Sequence, residues 1–315
     1  MIEVLRPGLQ TSVQDGGRSG LRHLGIGEAG AADRGALQLA NRLLGNALDA
    51  AALEITLTGP TLRFTSAAWV ALAGADIESH CNQRALDGGR PFRVPAGARL
   101  TLGRCRRGAR SYLAVAGGLL VEPVMGSAST DLGGGFGGHC GRALRRGDRL
   151  RMQTGRALRS PDWAGWAQRC EDPARATLPA EVLRFVADAD AGLPADLPAW
   201  SWQVDARSGR KALRLRGPAL PIADGAQRVS QAVGSGDIQV LPDGEPLLLG
   251  VEAQTVGGYP LLGRIIRADR DRLGQLRPGD PVRLLPVDLN SADDAWQALQ
   301  AARYRQALAL AARGA

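Results

Sequence analysis

A glycine-rich run at residues 129–142 constrains this chain more than any other stretch. Five glycines lie among residues 133–138, with Ser129, Thr130 and Arg142 around them. Such a run does not pack as an ordinary helix or strand, because glycine pays a high conformational entropy in both. Consecutive glycine amides can turn toward one anion, and hydroxyl and guanidinium groups can add hydrogen bonds. The run predicts a binding loop, with a flexible surface loop as the alternative.

A weaker copy of this run follows at residues 254–260. Threonine, paired glycines and an aromatic residue recur there in the same order, followed by a Gly-Arg pair. The flanks repeat as well, because a Gly-Pro turn precedes each run and a Gly-Asp turn follows it. Shared features in one order predict a duplicated domain.

Length and composition also fit two domains. With 315 residues, of which 44% are hydrophobic, the chain can bury two cores. We predict a first domain at residues 1–155, a connection at 156–180, a second domain at 181–288 and a C-terminal helix at 289–315.

Short β-branched or alternating segments between glycine, proline and aspartate predict a mainly β fold with closed or nearly closed barrels. The predicted strands of the first domain are residues 53–57, 61–64, 69–73, 99–102, 111–116 and 149–153. Those of the second are residues 182–187, 212–215, 237–241, 246–251 and 281–285. Two helices are predicted: one is capped by Asp33 and ends at Gly45, and the other covers residues 291–313 with Ser291 as its cap.

Charge and composition argue against several partners. The formal net charge is +8, but only Lys211 among the 39 basic residues is lysine and the arginines are scattered, so we do not expect nucleic-acid binding. No apolar stretch approaches the roughly 18 residues of a membrane helix, and the first residues lack the apolar core of a signal peptide. We therefore expect a cytoplasmic protein without membrane association. The widely spaced Cys81, Cys105, Cys140 and Cys170 predict no metal site.

The scarcity of lysine excludes two kinds of chemistry within this chain. No Gly-Lys-Ser/Thr sequence exists to form a Walker A loop, and no Met-Lys-Met sequence exists to carry biotin. Any phosphate must therefore meet arginine or backbone amides.

Several motifs together resemble one family. They are Gln14-Asp15-Gly16-Gly17-Arg18, Gly30-Ala31-Ala32-Asp33, Asn41 with Gly45-Asn46, Leu53-Glu54-Ile55-Thr56-Leu57, and the runs at residues 129–142 and 254–260. This pattern is similar to the C-subunit family of bacterial 5-oxoprolinase, which includes a kinase-inhibitor antagonist and one half of the carboxyltransferase domain of urea amidolyase. The resemblance covers nearly the whole chain. It implies tandem duplicated cyclophilin-like β-barrel domains that act in complex with a related subunit.

The second domain departs from the family pattern at a few positions. Lys211 and Ala212 stand where Met-Gly is usual, and Gln231 and Ala232 replace an acid and a glycine. Glu252 replaces a frequent aspartate. These departures are consistent with a relative of altered specificity.

The resemblance implies a subunit of an ATP-dependent hydrolase that opens the lactam 5-oxoproline to glutamate. A lactam is a poor electrophile because its nitrogen lone pair is delocalised, so ATP is expected to phosphorylate the amide oxygen before water attacks the carbon. ATP, together with Mg, is expected to bind with the help of a partner subunit. The implied partners are a cognate, kinase-inhibitor-like subunit and a lactam amidohydrolase subunit, and the substrate is a small anion.

The candidate site residues combine the resemblance with their chemistry. Asp15, Arg18 and Arg142 are predicted to be catalytic, with Arg142 as an anion clamp and the other two orienting the substrate. A salt-bridged turn is an equal alternative for Asp15 and Arg18. The predicted substrate- and phosphate-binding residues are Ser129, Thr130, Gly133, Gly134, Gly135, Gly137, Gly138, Gln254, Gly257, Gly258 and Tyr259.

Two other functions remain open at this stage. The first is one half of a biotin-dependent carboxyltransferase of the urea amidolyase or allophanate hydrolase type, with the biotin carrier on a separate chain. The second is a non-catalytic regulator that antagonises a kinase inhibitor. The identity of the neighbouring genes would separate the three functions.

Overall fold

The structure is a computed structural model that describes residues 1–153, 171–175, 179, 181–189, 191–221 and 229–312. It is mainly β, as the sequence predicts. The first ten strands are β1 (Ile2–Arg6), β2 (Gln10–Gln14), β3 (Ala52–Thr56), β4 (Thr61–Phe64), β5 (Ala68–Cys81), β6 (Arg84–Ala85), β7 (Pro91–Val94), β8 (Arg99–Val115), β9 (Leu119–Leu120) and β10 (Arg149–Met152).

Nine further strands and three α-helices follow in the described residues, together with short 3-10 helices. The strands are β11 (Val182–Ala187), β12 (Trp202–Val204), β13 (Ala212–Arg216), β14 (Gln231–Ala232), β15 (Asp237–Val240), β16 (Pro246–Leu249), β17 (Val256–Gly257), β18 (Leu261–Ile265) and β19 (Pro281–Pro286). The helices are α1 (Arg34–Arg42), α2 (Arg270–Leu273) and α3 (Leu289–Ala311). None of the helices in the described ranges is long and apolar enough to cross a membrane.

The chain divides into two compact units, each built from separate stretches. The first unit contains Met1–Arg18, Asp33–Asp172 and Arg303–Ala315, and the second contains Ser19–Ala32 and Pro173–Ala302. The predicted boundaries differ in two places, because residues 19–32 cluster with the second unit and residues 303–315 with the first. The predicted connection at residues 156–180 lies largely outside the described residues.

A ten-stranded sheet forms the first unit. Its strands follow the order β2-β3-β8-β4-β1-β10-β9, with β5 added to β8, and β6 and β7 added to β5. Apolar side chains from these strands form one core, which includes the fully buried Ile2, Leu53, Phe64 and Leu113. Helix α1 packs against β5 and β8. The predicted Asp33 cap is confirmed, because its side chain accepts a hydrogen bond from the Ala36 N–H at 2.8 Å.

Strand β8 differs from the sequence prediction. The sequence predicts two strands at residues 99–102 and 111–116, separated by a charged segment with two glycines, but one 17-residue strand runs from Arg99 to Val115. It pairs with β4 near its start, with β3 near its end and with β5 along much of its length. The long pairing with β5 keeps the charged middle extended, since a partner strand can supply ladder hydrogen bonds whatever the side chains are.

A closed seven-stranded barrel forms the second unit, in the order β11-β18-β15-β16-β13-β12-β19. It closes through a parallel pairing of β11 with β19. The barrel core is apolar and includes the fully buried Phe185, Trp202 and Ile238. A separate two-stranded ribbon is formed by β14 and β17.

Helix α3 begins before the predicted cap. The Ser291 N–H donates to Asp288 Oδ1 at 2.7 Å, so the side chain of Asp288 caps the helix and Ser291 lies inside its first turn. Within the first unit, the Arg303 guanidinium bonds to Asp172 and the Arg303 carbonyl accepts from Arg42. These bonds explain why the end of α3 clusters with the first unit.

A repeated turn supports the predicted duplication. In the first unit, Val4 N–H donates to the Asp148 carbonyl and the Gly147 N–H donates to the Val4 carbonyl. In the second unit, Val204, Asp280 and Gly279 make the same two hydrogen bonds. Each aspartate also accepts a side-chain bond, at 2.8 Å, from the amide three residues before it. The Gly-Asp pairs found in the sequence therefore occupy equivalent turns.

Candidate functional site

Asp15 joins two of the sequence motifs in the first unit. Its carboxylate accepts hydrogen bonds from Ser127 Oγ and the Ala128 N–H, both at 2.6 Å, and from the Gly17 N–H at 2.8 Å. Ser129 Oγ also donates to Asp15 and accepts from the Asp15 N–H at 2.9 Å. The structure thus brings Asp15 and Ser129 together, with the carboxylate held by four donors.

Arg18 is buried beside the same segment, with an exposed fraction of 2%. Its Nη2 donates to the Ser129 carbonyl at 2.6 Å, and its guanidinium lies over the Phe136 ring at 4.7 Å from the centroid. Arg18 therefore links the Asp15 motif to the glycine-rich run. These contacts of Arg18 hold residues 129–138 in place. The role of Arg18 in orienting substrate stays a prediction.

Ser129 and Thr130 are fully buried. The Thr130 hydroxyl donates to the Val13 carbonyl at 2.9 Å, and the Thr130 carbonyl accepts from Gln14 Nε2 at 3.1 Å. Both predicted hydroxyl contacts are thus engaged within the unit. A ligand would meet these hydroxyls only if their present hydrogen bonds changed.

Two of the five glycine amides that are predicted to bind an anion instead donate hydrogen bonds within the loop. The Gly134 N–H donates to Asp131 Oδ1 at 2.7 Å, and the Gly135 N–H donates to the Asp131 carbonyl at 2.9 Å. Within the described part of the chain, the amides of Gly133, Gly137 and Gly138 make no hydrogen bond. These three remain the amides available to an anion.

Close contacts with Ser129 and Thr130 explain why glycine is needed at the end of the loop. A Cβ on Gly137 would lie 2.3 Å from the Ser129 carbonyl oxygen, and one on Gly138 would lie 1.9 Å from Thr130 Oγ1. Both residues also have positive φ, at +69° and +54°. The glycines at 137 and 138 are therefore required by the fold, whether or not they bind a ligand.

Arg142 is engaged by an acid that the sequence reading did not select. Its Nη1 and Nη2 donate to the two carboxylate oxygens of Asp148 at 2.7 and 2.9 Å. These hydrogen bonds are the main reason that the pKa of Asp148 is lowered to about 2. His139 Nε2 lies 3.5 Å from Asp148 Oδ1. The anion clamp predicted for Arg142 would require this two-pronged ion pair to open.

A buried polar network in the first unit was also missed by sequence reasoning. Tyr112 Oη donates to Glu54 Oε2 at 2.7 Å and accepts from the Asp33 N–H at 2.8 Å, while Arg110 Nε lies 3.6 Å from Glu54 Oε1. Burial raises the pKa of Tyr112 well above its usual range, with Glu54 adding to the effect. Glu54 in the middle of an apolar strand was the available signal, because such an acid needs buried partners.

The second glycine-containing run lies in the second unit and forms part of the β14–β17 ribbon. Gln231 pairs with Gly257 there. A Cβ on Gly257 would lie 2.5 Å from Gln239 Nε2 and 3.1 Å from Gln254 Nε2, so two side-chain amides converge on this glycine. Gln239 is fully buried, and neither atom of its amide has a hydrogen-bond partner among the described residues. Of the remaining predicted residues, Gly258 is half-buried and Tyr259 is exposed.

A small pocket lies within the second unit. Its wall combines one cation, one acid and two hydroxyls with small residues: Arg22, Gly27, Glu28, Gly234, Ser235, Gly250, Val251, Ala253 and Thr255. None of these nine belongs to the predicted site, although Thr255 lies inside the second run. Arg22 comes from the 3-10 helix Arg22–Leu24. Arg22 was not selected from the sequence, because it is a single arginine between the motifs at residues 14–18 and 30–33.

One family motif has a structural role in the second unit. Arg210 Nη2 donates to the Gly30 carbonyl at 2.7 Å, and Arg210 Nε donates to Glu252 at 2.5 Å. Both charged side chains are almost fully buried. The unusual Glu252 therefore completes a buried ion pair, which also holds the Gly30 segment within this unit.

Comparison with known proteins decides the family. Residues 24–286 match the family described as carboxyltransferase domain, subdomain A and B. This chain belongs to that carboxyltransferase-domain family. It is 41% identical to the Escherichia coli protein named as the C subunit of 5-oxoprolinase over 98% of each chain, and 34% identical to the Haemophilus influenzae protein of the same name over 93% of each. The family resemblance predicted from the motifs is confirmed.

A solved structure places the carboxyltransferase-domain fold in a larger enzyme. The K. lactis urea amidolyase superposes with a TM-score of 0.83 at 28% identity, covering 95% of this chain and 19% of that one. The mainly β fold predicted from the sequence agrees with this similarity. Members of the family thus occur both as separate subunits and as one part of a long chain.

Proposed function

We propose that this chain is a subunit of an ATP-dependent 5-oxoprolinase. The observation that carries the proposal is the full-length similarity to the E. coli and H. influenzae proteins named as the C subunit of 5-oxoprolinase. Urea amidolyase, by contrast, matches through a small part of its length. A match over the whole of both chains favours a shared assembly over a shared fold alone.

The proposed reaction converts 5-oxoproline, ATP and two waters to glutamate, ADP and phosphate. The lactam oxygen attacks the γ-phosphorus and ADP leaves, which makes the ring carbon electrophilic. One water then adds to that carbon and the carbon–nitrogen bond breaks, leaving an amine and an acyl phosphate. The second water releases phosphate and leaves the new carboxylate. Every phosphorylated species is anionic, so the site needs positioned donors.

In this proposal the glycine-rich loop contributes donors for the transferred phosphate. The amides of Gly133, Gly137 and Gly138 support the assignment, because they have no partner in the described part of the chain. ATP and Mg are proposed to bind together with the cognate, kinase-inhibitor-like subunit and a lactam amidohydrolase subunit. Arg142 joins them only if Asp148 releases it.

The test is reconstitution with subunits encoded by neighbouring genes. We expect ADP release that depends on 5-oxoproline and equals glutamate formation one to one. The control preparations omit one subunit at a time, and the panel includes other lactams, simple amides and urea. ADP release that ignores 5-oxoproline would overturn the proposal.

A carboxyltransferase half is the second candidate, favoured by the family description and by the fold shared with urea amidolyase. In that case the biotin carrier lies on another chain. The same panel separates the two functions, because carboxylation of an amide with a biotinylated partner present would favour this candidate.

A further inference from the structure

One face of the sheet in the first unit concentrates arginine. Four adjacent strands, in the order β8-β4-β1-β10, place one row of charged residues directly opposite one another: Arg99, Arg63, Glu3 and Arg149. Arg6 lies on one side of this row, opposite Thr61, and Arg151 lies on the other side, two residues beyond Arg149. These five arginines, with Glu3 among them, form the arginine face.

The arginine face points away from the core. The residues that alternate with it along the strands are buried and apolar, among them Ile2, Leu62, Leu100 and Leu150. All five arginines are exposed. Because successive side chains of a strand point to opposite faces, core packing does not require these arginines.

The charges of the arginine face are poorly balanced. Arg63 donates to Glu3 at 2.9 Å, and in the described part of the chain the side chains of the other four arginines make no hydrogen bond or ion pair. Arg63 and Arg99 are directly opposite each other, and like charges in that arrangement destabilise a sheet. A face that served only solubility would intersperse both signs of charge. The excess of arginine therefore favours a binding role.

The pattern of charge favours a protein ligand that carries carboxylates. Arginine binds carboxylate or phosphate through two parallel hydrogen bonds. Glu3 within the row would repel a continuous phosphate backbone, whereas it can pair with a basic residue on a protein surface of matching pattern. The row and its flanks also contain no aromatic side chain on which bases could stack.

We propose that the arginine face docks an acidic surface of another subunit in the proposed assembly. The inference rests on the proposed function, because relatives named as subunits imply a partner chain. The row spans three strand spacings, or about 14 Å, and the face extends about as far along the strands. It covers roughly 200 Å², against about 800 Å² for one side of a standard interface. The face therefore accelerates and orients docking, while other contacts supply most of the affinity.

The test measures how fast the full chain associates with the subunit that binds it in the reconstituted complex. Arg99→Glu combined with Arg149→Glu should slow association about 10-fold or more at low salt, because electrostatic steering is lost. At about 0.5 M salt the effect should nearly vanish, because the charges are screened. Arg93→Glu combined with Arg283→Glu makes the same charge change at exposed arginines of β7 and β19, and should slow association much less.

A second pair of substitutions protects the test against misfolding. Threonine suits a strand, and Arg99→Thr removes the repulsion from Arg63, so Arg99→Thr combined with Arg149→Thr should not lower the melting temperature. Association should still slow, by about 3-fold at low salt, because half as much charge is changed as in the glutamate pair.

The outcomes separate the inference from the proposed function. Unchanged association of both the glutamate and the threonine pair, or equal slowing by the control pair, would overturn the inference even if the complex turns over 5-oxoproline. If association slows as expected in a complex that does not turn over 5-oxoproline, only the proposed function falls. If no neighbouring subunit binds the wild-type chain, both fall. Binding of a DNA oligonucleotide that the glutamate pair abolishes, with subunit association unchanged, would assign the face to nucleic acid instead.

Discussion

Individual side chains in this protein either have hydrogen-bond partners within their own unit or have none among the described residues. Asp15 and Arg142 illustrate the first case, because each is engaged by donors or acceptors of its own unit. Gln239 illustrates the second. This difference determines how a substitution of each residue changes the free energy of unfolding.

The Arg142–Asp148 pair should make stability depend on acid pH. The pKa of Asp148 is about 2 in the folded chain, and an unfolded aspartate has a pKa near 3.9. Its contribution is therefore complete above about pH 5 and is lost as the pH falls toward 2. We expect Asp148→Asn to cost about 1 kcal/mol at pH 7 and almost nothing at pH 2, measured by urea unfolding.

Asp87→Asn is the control for this prediction, because in the described part of the chain Asp87 forms only an exposed pair with Arg90. A constant difference between wild type and Asp148→Asn across this pH range would contradict the assignment.

Gln239 should limit the stability of the second unit. A buried amide without partners pays a desolvation cost that a leucine of similar size avoids. We expect Gln239→Leu to raise the free energy of unfolding by about 1 kcal/mol, and Gln203→Leu, on the exposed side of β12, to leave it nearly unchanged. A destabilised Gln239→Leu would mean that water or a ligand satisfies the amide.

At the scale of elements, the glycines of the glycine-rich loop differ in how much stability a side chain at their position would cost. Gly135 has φ +71° with open space around it, whereas Gly138 has φ +54° and would clash with Thr130. Gly135→Ala should cost about 1 kcal/mol from backbone strain alone. Gly138→Ala should cost about 3 kcal/mol, because Thr130 must also give up its hydrogen bond.

Chemical unfolding of both variants measures this difference. Equal costs would show that the loop relaxes freely around residue 138, in contradiction to its contact with Thr130.

The sequence predicts elements well where local chemistry decides them. Asp33 caps α1 because its side chain needs only the amide three residues on, and strands such as β4 and β11 have the predicted bounds. It fails where distant pairing decides, as in β8, whose charged middle is kept extended by β5. The cap of α3 was misplaced from Asp288 to Ser291 because both are good caps.

The sequence predicts only part of the candidate site, because it does not show which side chains will meet in the fold. The motif around Asp15 and the run at residues 129–142 were selected, and the structure brings Asp15, Arg18, Ser129 and Thr130 together. The Asp148 partner of Arg142 was not selected, because nothing local marks which acid will reach a given arginine. The pocket around Arg22 was missed for the same reason, since its wall comes from three separate stretches of the second unit.

At the scale of the whole molecule, the proposed function implies dependence on other chains. The chain lacks a Walker A lysine, and its loop offers a phosphate three amides that have no hydrogen-bond partner among the described residues. We expect the purified chain alone to show no 5-oxoproline-dependent ATP hydrolysis, and addition of the neighbouring subunits to restore it. A phosphate-release assay on each preparation checks this, with heat-treated chain as the control. Turnover by the chain alone would contradict it.

Strand β8 has a consequence for biosynthesis. Its three ladder partners β3, β4 and β5 all precede it in the chain, and they pair with residues between Arg99 and Val115. Until the ribosome has released that stretch, β3 and β4 have no central strand between them and their edges stay open to other chains. A nascent chain arrested before residue 99 should therefore recruit chaperones, and one arrested well beyond residue 152, after β10 has emerged, should not.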